Sequence, residues 1–297
     1  MTKIGLIGLG IMGKPMAMNL LRSGMDLLVY DLNPEAVAEV TAAGAVQAAP
    51  EEMGRTCDIV LTILPNGAIV RDVLLGGGGV AAGLTPGKLV CDFSSVTPAQ
   101  SRACCAALGQ MGVGFVDAPV SGGEPGAIAG TLAIMCGGEQ KDFDRLRPVF
   151  QAVGSSAELI GPSGSGSVTK LANQIIVNLN IAAVSEALVL AAKAGADPMK
   201  VYRAIRGGLA GSAVLDAKAP LMCAREFKPG GKISINHKDI KNVLDTAHDL
   251  EVPLPFTAQL FEVQQALKVA GYFEEDHGAY IRYFETLAGI RVKGGEA

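Results

Sequence analysis

The first strand and the first helix that the sequence predicts are joined by three regularly spaced glycines. The apolar segment Lys3–Ile7 runs into Gly8-Leu9-Gly10-Ile11-Met12-Gly13, and the helical segment Met12–Ser23 follows. In such a unit the first glycine permits a tight turn, the second lets the backbone approach a pyrophosphate, and the third lets the helix pack closely on the sheet. The pattern alone is weak in a chain with 38 glycines, but its place between strand and helix makes it specific. It predicts a dinucleotide site made by Gly8, Leu9, Gly10, Ile11, Met12 and Gly13.

An acidic residue follows the second predicted strand at the spacing that such a site requires. Asp31 lies 18 residues after Gly13, close to the spacing of about 20 found for a carboxylate that binds the adenosine ribose. That carboxylate would repel a 2′-phosphate, and no Lys or Arg occurs from Asp31 through Gly54 to attract one. The sequence therefore predicts NAD(H) rather than its phosphorylated form. The alternative, that Asp31 only caps the turn before Pro34, is disfavoured by the spacing.

Short apolar segments alternate with helical segments over about the first 160 residues. This alternation predicts an α/β domain, a Rossmann-type doubly wound parallel sheet with helices on both faces, over residues 1–162. The predicted strands are Lys3–Ile7, Leu27–Tyr30, Ile59–Leu64, Lys88–Phe93, Gly114–Asp117 and Leu132–Cys136. The predicted helices between them include Met12–Ser23, Pro34–Ala43 and Pro98–Met111.

The pattern becomes wholly helical after Ile160. The segment Gly161–Gly166 is typical of a hinge-like loop, and an apolar helical segment extends from about Ser165 to Lys193, with Gly195 as its stop signal. The sequence thus predicts an all-helical C-terminal domain, residues 163–297, joined to the first domain by this long interdomain helix. Because the helix has few charges on any face, a second subunit is expected to cover part of it, in a homodimer or homotetramer.

Composition and polar patterning exclude several classes of partner. The net charge is −4 and Lys/Arg runs are absent from the sequence, so no nucleic-acid partner is expected. The stretch Leu171–Leu190 is long enough to span a bilayer, but its polar residues favour a buried helix, and no membrane partner is expected. Those polar residues are Asn173, Gln174, Asn178, Asn180 and Glu186.

The cysteines and histidines do not form a pattern that binds metal. The six cysteines contain no C-x-x-C pair, and the three histidines do not cluster with them. Buried reduced thiols in a cytoplasmic protein are the preferred interpretation. No signal peptide is expected either, because glycines interrupt the first apolar run.

Two further segments contain candidate site residues. Ser121-Gly122-Gly123 follows the fifth predicted strand, and a hydroxyl followed by two glycine N–H groups can form an anion-binding nest. A plain glycine-rich turn is equally compatible with that segment alone. Lys170 lies in the first turns of the long helix, with Asn173 and Gln174 on nearly the same face. The spacing does not decide whether Lys170 faces solvent or a ligand.

Four segments together resemble the β-hydroxyacid dehydrogenase family, over essentially the whole chain. They are IGLIGLGIMGKPMAMNL (4–20), DAPVSGGEPGAIAGTL (117–132), GSVTKLANQ (166–174) and HKD (237–239). The resemblance implies that Lys170 is the catalytic acid and base and that the Ser121-Gly122-Gly123 loop binds the substrate carboxylate. It also implies that Asn173 or Gln174 contacts the substrate. Cofactor contacts are implied for Leu64, Pro65, Ser95 and Lys238.

The substrate class follows from a narrower resemblance. The segments VTKLANQIIVNLNIAAVSEAL and YRAIRGGLAGSAVLDAKAP resemble family members that reduce tartronate semialdehyde to D-glycerate. The expected substrate is a small carboxylate-bearing aldehyde or hydroxy acid, with NAD(H) as cofactor and no metal. Two positions depart from the common family pattern, because Gln174 stands where many members have Asn and Gly231 where many have Phe.

Three alternatives to this function stay open. One is another activity of the family, on 3-hydroxyisobutyrate, 2-(hydroxymethyl)glutarate or succinic semialdehyde. Another is a non-catalytic nucleotide-binding module, which retention of Lys170 disfavours. The third is an imine reductase of related architecture.

Overall fold

The computed structural model describes residues 2–294. The two domains predicted from sequence begin at residue 1 and end at residue 297, and both of these termini lie outside the described residues. The chain forms two compact units, the first ending at Lys170 and the second starting at Leu171. The first unit is a sheet flanked by helices and the second is helical. The predicted class, an α/β domain followed by a helical domain, is confirmed.

A mixed sheet organises the first unit. The strands run in the order β3-β2-β1-β4-β5-β6-β8-β7, with β9 paired to β8. The chain order therefore reverses between β1 and β4, and ligands of such sheets bind beyond the carboxyl ends of the strands at this point. The described strands are β1 (Lys3–Ile7), β2 (Asp26–Tyr30), β3 (Val46–Gln47), β4 (Ile59–Thr62), β5 (Leu89–Asp92), β6 (Gly114–Asp117), β7 (Val120–Ser121), β8 (Leu132–Gly137) and β9 (Gly154–Gly161).

The expectation of a wholly parallel sheet is wrong at β8. Strands β1 to β6 pair in parallel, but β8 runs antiparallel to β6, with Asp117 opposite Gly137. It also runs antiparallel to β7, with Val120 opposite Ile134. Residues 122–131, which include a short helix, join β7 to β8. This connection is shorter than the crossover of about a dozen residues or more that a parallel pair requires.

Both faces of the central strands are buried, which explains their almost continuous apolar sequence. Leu6 and Leu61 pack in a cluster on one face, whereas Ile7 and Val60 belong to a second cluster on the other face. The helices that cover these faces are α1 (Gly13–Arg22), α2 (Pro34–Ala42), α3 (Pro50–Thr56), α4 (Gly67–Leu75), α5 (Pro98–Gly109), α6 (Gly123–Ala129) and α7 (Gln140–Val153), with a 3₁₀ turn at Val80–Gly83.

The second unit packs its helices around a core of its own. Ile181, Met222, Ile240 and the wholly buried Tyr280 are among its members. The helices are α8 (Ser165–Lys193), α9 (Pro198–Ile205), α10 (Ala213–Ala224), α11 (Ile233–Asp249), α12 (Pro255–Val269) and α13 (Ile281–Ala288), with a 3₁₀ turn at His277–Tyr280. Prolines mark two helix starts, Pro198 at the start of α9 and Pro255 at the start of α12.

Helix α8 has the predicted bounds and runs through the division between the two units. The sequence puts the boundary near residue 162, whereas the compact units meet at Lys170, because the first turns of α8 are bonded to the first unit. By length and composition alone, α8 could cross a membrane, and 39% of its most apolar 18-residue window is buried. Ile176 and Leu190 are 62% and 72% exposed. The chain therefore leaves part of this helix uncovered.

All six cysteines are free, and all but Cys105 are buried. Burial raises the pKa of Cys104 to about 11 and that of Cys136 to about 12. Within residues 2–294, no group of three His, Cys, Asp or Glu side chains is arranged to hold a metal ion. The buried thiols lie in surroundings that disfavour thiolate formation. The expectation of a metal-free enzyme stays a prediction.

Candidate active site

Two of the three glycines in the first turn are required by the fold itself. Gly8 has a φ of +102°, and a Cβ there would lie 2.2 Å from the carbonyl oxygen of Ile63. A Cβ on Gly13 would lie 1.9 Å from the carbonyl oxygen of Gly8. Any larger residue at either position would collide with backbone, so β1, the turn and α1 can only meet through glycine.

Gly10 differs from its neighbours because packing does not require it. A Cβ there would have no heavy atom within 4 Å. Helix α1 begins at Gly13, and its N-cap residue Met12 makes no side-chain hydrogen bond, so no side chain of the cap takes the place of a ligand at the helix start. Open space at Gly10 in front of an uncapped helix start fits a pyrophosphate held by backbone N–H groups. In the same loop Leu9 is buried and Ile11 is exposed.

Asp31 has a structural role besides the predicted ribose contact. Its Oδ2 accepts a hydrogen bond from the Leu9 N–H at 2.6 Å, and its Oδ1 accepts one from the Asn33 N–H at 2.7 Å. The carboxylate therefore caps the turn after β2 and also anchors the glycine loop. Since an ionised carboxyl offers about four acceptor positions, it can still accept ribose hydroxyls. Sequence reasoning missed the link to Leu9, which joins residues 22 apart.

The ends of β4 and β5 position the predicted contacts Leu64, Pro65 and Ser95. The Leu64 N–H donates to Oγ of the buried Ser94 at 2.8 Å. Asp92 Oδ1 in turn accepts from Thr62 Oγ1 at 2.8 Å and from the Ser94 N–H at 3.0 Å. Burial raises the pKa of Asp92, although these hydrogen bonds oppose the shift. These hydrogen bonds hold the segments that contain Leu64, Pro65 and Ser95 beside the point where the strand order reverses.

The predicted carboxylate loop contains two successive glycines with positive φ values. Ser121 ends β7, and Gly122 and Gly123 follow with φ values of +136° and +61°. Both glycines are exposed. Such φ values favour glycine, and exposed backbone N–H groups in a turn can donate to an anion. The loop can therefore bind a carboxylate through its backbone.

Lys170 lies beside this loop. Its Nζ donates to the carbonyl oxygen of Val120 at 2.8 Å, and the side chain is buried. Val120 directly precedes Ser121, so the ammonium group adjoins the nest. Lys170 therefore faces the loop and not solvent, and its contact with a ligand stays a prediction.

Three predicted residues, Asn173, Gln174 and Lys238, belong to the second unit, and Asp239 contacts two of them. Gln174 Nε2 donates to Asp239 Oδ2 at 2.5 Å, and Lys238 Nζ lies 2.9 Å from Asp239 Oδ1. The Oδ1 atom of Asn173 is buried and has no hydrogen-bond partner among the described residues. Sequence reasoning missed Asp239, although the HKD segment contains it.

Gly231, the position where many family members have Phe, lies against a histidine ring. A Cβ there would be 3.2 Å from Cε1 of His277. The buried Asp276 accepts the N–H groups of Gly230 and Gly231 at 3.1 and 3.0 Å, which fixes the loop. A phenylalanine at this position would therefore require the ring of His277 to move.

Two models of known protein families match the two halves of the chain. Residues 3–161 match a model described as the NAD binding domain of 6-phosphogluconate dehydrogenase. Residues 164–284 match one described as the NAD-binding domain of NADP-dependent 3-hydroxyisobutyrate dehydrogenase. The two matches meet at the loop before α8.

Individual relatives cover nearly the full chain. The chain is 41% identical to 2-hydroxy-3-oxopropionate reductase of Escherichia coli K12, over 98% of this chain and 99% of the relative. It is 37% identical to 2-(hydroxymethyl)glutarate dehydrogenase of Eubacterium barkeri, over 99% and 98%. A crystal structure of 3-hydroxyisobutyrate dehydrogenase from Salmonella typhimurium matches with a TM-score of 0.85 at 33% identity, over 95% and 99%.

Fold, site and relatives define an oxidoreductase that acts on CH–OH groups with a nicotinamide cofactor. The chain belongs to the 3-hydroxyisobutyrate dehydrogenase-like family of β-hydroxyacid dehydrogenases, as its motifs predicted. Its relatives are named for different small hydroxy acids.

Proposed function

We propose that this protein reduces tartronate semialdehyde to D-glycerate with NADH, and that Lys170 donates the proton. The observation on which the proposal depends is the 2.8 Å bond between Lys170 Nζ and the Val120 carbonyl. It puts an ammonium group next to a backbone nest, so one small molecule can occupy both.

The reaction follows from these two groups. The nest at Ser121–Gly123 binds the substrate carboxylate and orients the aldehyde toward Lys170. When bound, the reduced nicotinamide supplies a hydride, with both electrons, to the aldehyde carbon. Negative charge develops on the aldehyde oxygen, and Lys170 stabilises it and then transfers a proton to it. The product is the primary alcohol, and in the reverse direction neutral Lys170 accepts the proton.

The size of the substrate is limited by the same two contacts. A three- or four-carbon semialdehyde acid can reach the nest with its carboxylate and Lys170 with its aldehyde. Tartronate semialdehyde also has a hydroxyl group, and Asn173 and Gln174 follow Lys170 by one helical turn, where an amide could bind it. The 41% identical E. coli reductase supports this choice among the family's substrates.

The decisive experiment is a panel of substrates assayed with NADH and with NADPH. We expect kcat/KM to be at least tenfold higher for tartronate semialdehyde than for methylmalonate or succinic semialdehyde, since sites built to bind a hydroxyl reject analogues that lack it. Better use of either competitor would make the named activity wrong and leave the family assignment intact. Turnover without ammonium would exclude an imine reductase, and absence of any turnover would favour a binding module.

NADH is the proposed cofactor because the carboxylate of Asp31 repels a 2′-phosphate. We expect a higher kcat/KM with NADH than with NADPH. In Asp31→Ala the ratio of these two kcat/KM values should be smaller than in the unaltered protein. Asp31→Asn is the matched control, since it removes the charge and keeps an acceptor for the Leu9 N–H. Equal or better use of NADPH by the unaltered protein would refute the proposal.

The exposed apolar side chains of α8 support assembly into a homodimer or homotetramer. Ile176 and Leu190 lie on this helix and are mostly exposed, and a second copy would bury them. Sedimentation at micromolar concentration is expected to show a multiple of 30.5 kDa. A single 30.5 kDa species would contradict the assembly.

A further inference from the structure

The helix that contains Lys170 has no capping side chain at its own start. Helix α8 begins at Ser165, and the residue before it, Gly164, accepts the first helical hydrogen bond from the Val168 N–H at 2.9 Å. Helices commonly have Ser, Thr, Asp or Asn at this position, because the side chain binds an N–H group of the first turn. Glycine cannot do so, and the first turn must find its acceptor elsewhere.

That acceptor is the carboxylate of Asp117, at the end of β6. Asp117 Oδ2 accepts the N–H of Ser167 at 2.8 Å, and its Oδ1 accepts the N–H of Gly164 at 2.7 Å. Oδ1 also lies 3.4 Å from the hydroxyl of Ser163. A residue 50 positions earlier in the chain therefore caps α8.

We propose that Asp117 is a positioning residue that holds Lys170 against the carboxylate nest; this inference rests on the proposed function of Lys170. Asp117 binds the first turn of α8, and Lys170 follows Ser167 by about one turn. Val120, three residues after Asp117, accepts the hydrogen bond from Lys170. The segment Asp117–Val120 thus binds the helix at two points, which fixes the helix and the nest to each other.

The surrounding backbone leaves little room for the carboxylate to move. A Cβ on Gly166 would lie 2.3 Å from the Met135 carbonyl oxygen and 2.5 Å from that of Asp117. One on Gly137 would lie 2.7 Å from Asp117 Oδ1. Ser101 and Ser167 also share a buried hydroxyl hydrogen bond of 2.9 Å. Strand β8, helix α5 and helix α8 therefore meet around Asp117.

Burial of Asp117 is unfavourable for its charged form and raises its pKa, while the N–H groups of Gly164 and Ser167 oppose that shift. A buried carboxylate needs such donors, and here the donors belong to the helix of the catalytic lysine. A displacement of about 1 Å in a reacting group can lower a rate by about 100-fold. Loss of the hydrogen bonds from α8 to Asp117 is therefore expected to lower kcat.

The test compares Asp117→Asn with Asp92→Asn. Asparagine has nearly the same shape but offers an NH₂ group where one helix N–H needs an acceptor. Asp92 is the matched control, because it is also a buried carboxylate at a strand end, and it accepts hydrogen bonds from Thr62 and Ser94, which lie outside α8. The first readout is the initial rate at which acetic anhydride labels Lys170, measured by mass spectrometry relative to Lys193 at the other end of the helix.

We expect Asp117→Asn to raise the labelling of Lys170 relative to Lys193 at least threefold. It should lower kcat at least tenfold and change the KM for NADH less than twofold. Asp92→Asn should leave the labelling ratio unchanged and raise the KM for NADH, since Asp92 supports the Leu64 segment. Unchanged labelling and kcat in Asp117→Asn, or the same changes in both variants, would overturn the proposal.

Amide hydrogen exchange in the unaltered protein keeps the test valid if Asp117→Asn does not fold. First-turn amides of a helix have no partner within the helix, but those of Gly164 and Ser167 are expected to be protected at least 100-fold by the buried carboxylate. Rapid exchange at both amides would refute the cap. Labelling and exchange need no substrate, so they remain decisive even if tartronate semialdehyde is not turned over.

Discussion

Replacing Lys170 with alanine is expected to lower kcat by about 100-fold or more, because a positioned acid–base group contributes about 10²–10⁴ to turnover. The variant removes the ammonium group beside the nest but does not touch the glycine loop or Asp31. Dinucleotide affinity should therefore stay within about twofold of the unaltered protein. Steady-state kinetics and a fluorescence titration with NADH measure the two quantities.

Lys193→Ala is the matched control for this variant. Lys193 ends the same helix and donates to the carbonyl oxygen of Ala288 at 2.9 Å, so its loss should leave kcat nearly unchanged. Added primary amines are expected to restore part of the activity of Lys170→Ala, since they can supply the missing proton. Near-normal turnover in folded Lys170→Ala would remove the lysine from the mechanism.

The second large effect is expected from alanine at Gly10 and at Gly13. The Gly13 variant should lose stability, whereas the Gly10 variant should lose affinity for NADH. Gly13→Ala puts a methyl group 1.9 Å from a backbone oxygen, so it should destabilise the fold by at least the 1–3 kcal/mol typical of overpacking. Gly10→Ala meets no protein atom within 4 Å. It should leave the melting temperature nearly unchanged and weaken NADH binding about tenfold or more, because the new methyl group enters the space of the pyrophosphate.

Thermal unfolding and NADH titration of both variants distinguish packing from ligand binding. If Gly10→Ala binds NADH normally, the glycine loop is not the pyrophosphate site. If Gly13→Ala is as stable as the unaltered protein, the close approach of α1 to the turn does not constrain the fold.

Strands with strong local patterns were predictable from sequence, whereas pairing was not. The bounds of Lys3–Ile7 and Gly114–Asp117 agree with the structure because each is a short apolar run ended by a turn. Strands β3 and β7 have two residues each and leave no periodic signal. Strand β9 has mostly half-buried and exposed residues, so it lacks an apolar run. The antiparallel direction of β8 depends on its partners, which local sequence does not encode.

In the candidate site, too, the sequence did not show which residues contact one another. Motifs identified Lys170 and Ser121 as separate candidates, but the bond of Lys170 to Val120 spans 50 residues and exists only in the folded chain. Asp117 was visible as the first residue of its motif, yet its role depends on where the start of α8 lies. Asp239 likewise acquires its place through Gln174, on a different helix. Sequence patterns thus identify chemical groups, and tertiary structure determines which groups meet.

Asp31 accepts a hydrogen bond from the glycine loop and is also the residue expected to select the cofactor, so redesign of cofactor preference affects the loop. A change of cofactor preference toward NADPH would require removal of the acid after the second strand, because that carboxylate repels a 2′-phosphate. Here that substitution also removes the acceptor for the Leu9 N–H, so cofactor selectivity and the order of the glycine loop change together unless the new side chain keeps an acceptor. A successful NADPH-using version would need a replacement such as asparagine, which lacks the charge and keeps an acceptor for that N–H, together with a separate cation introduced nearby for the phosphate.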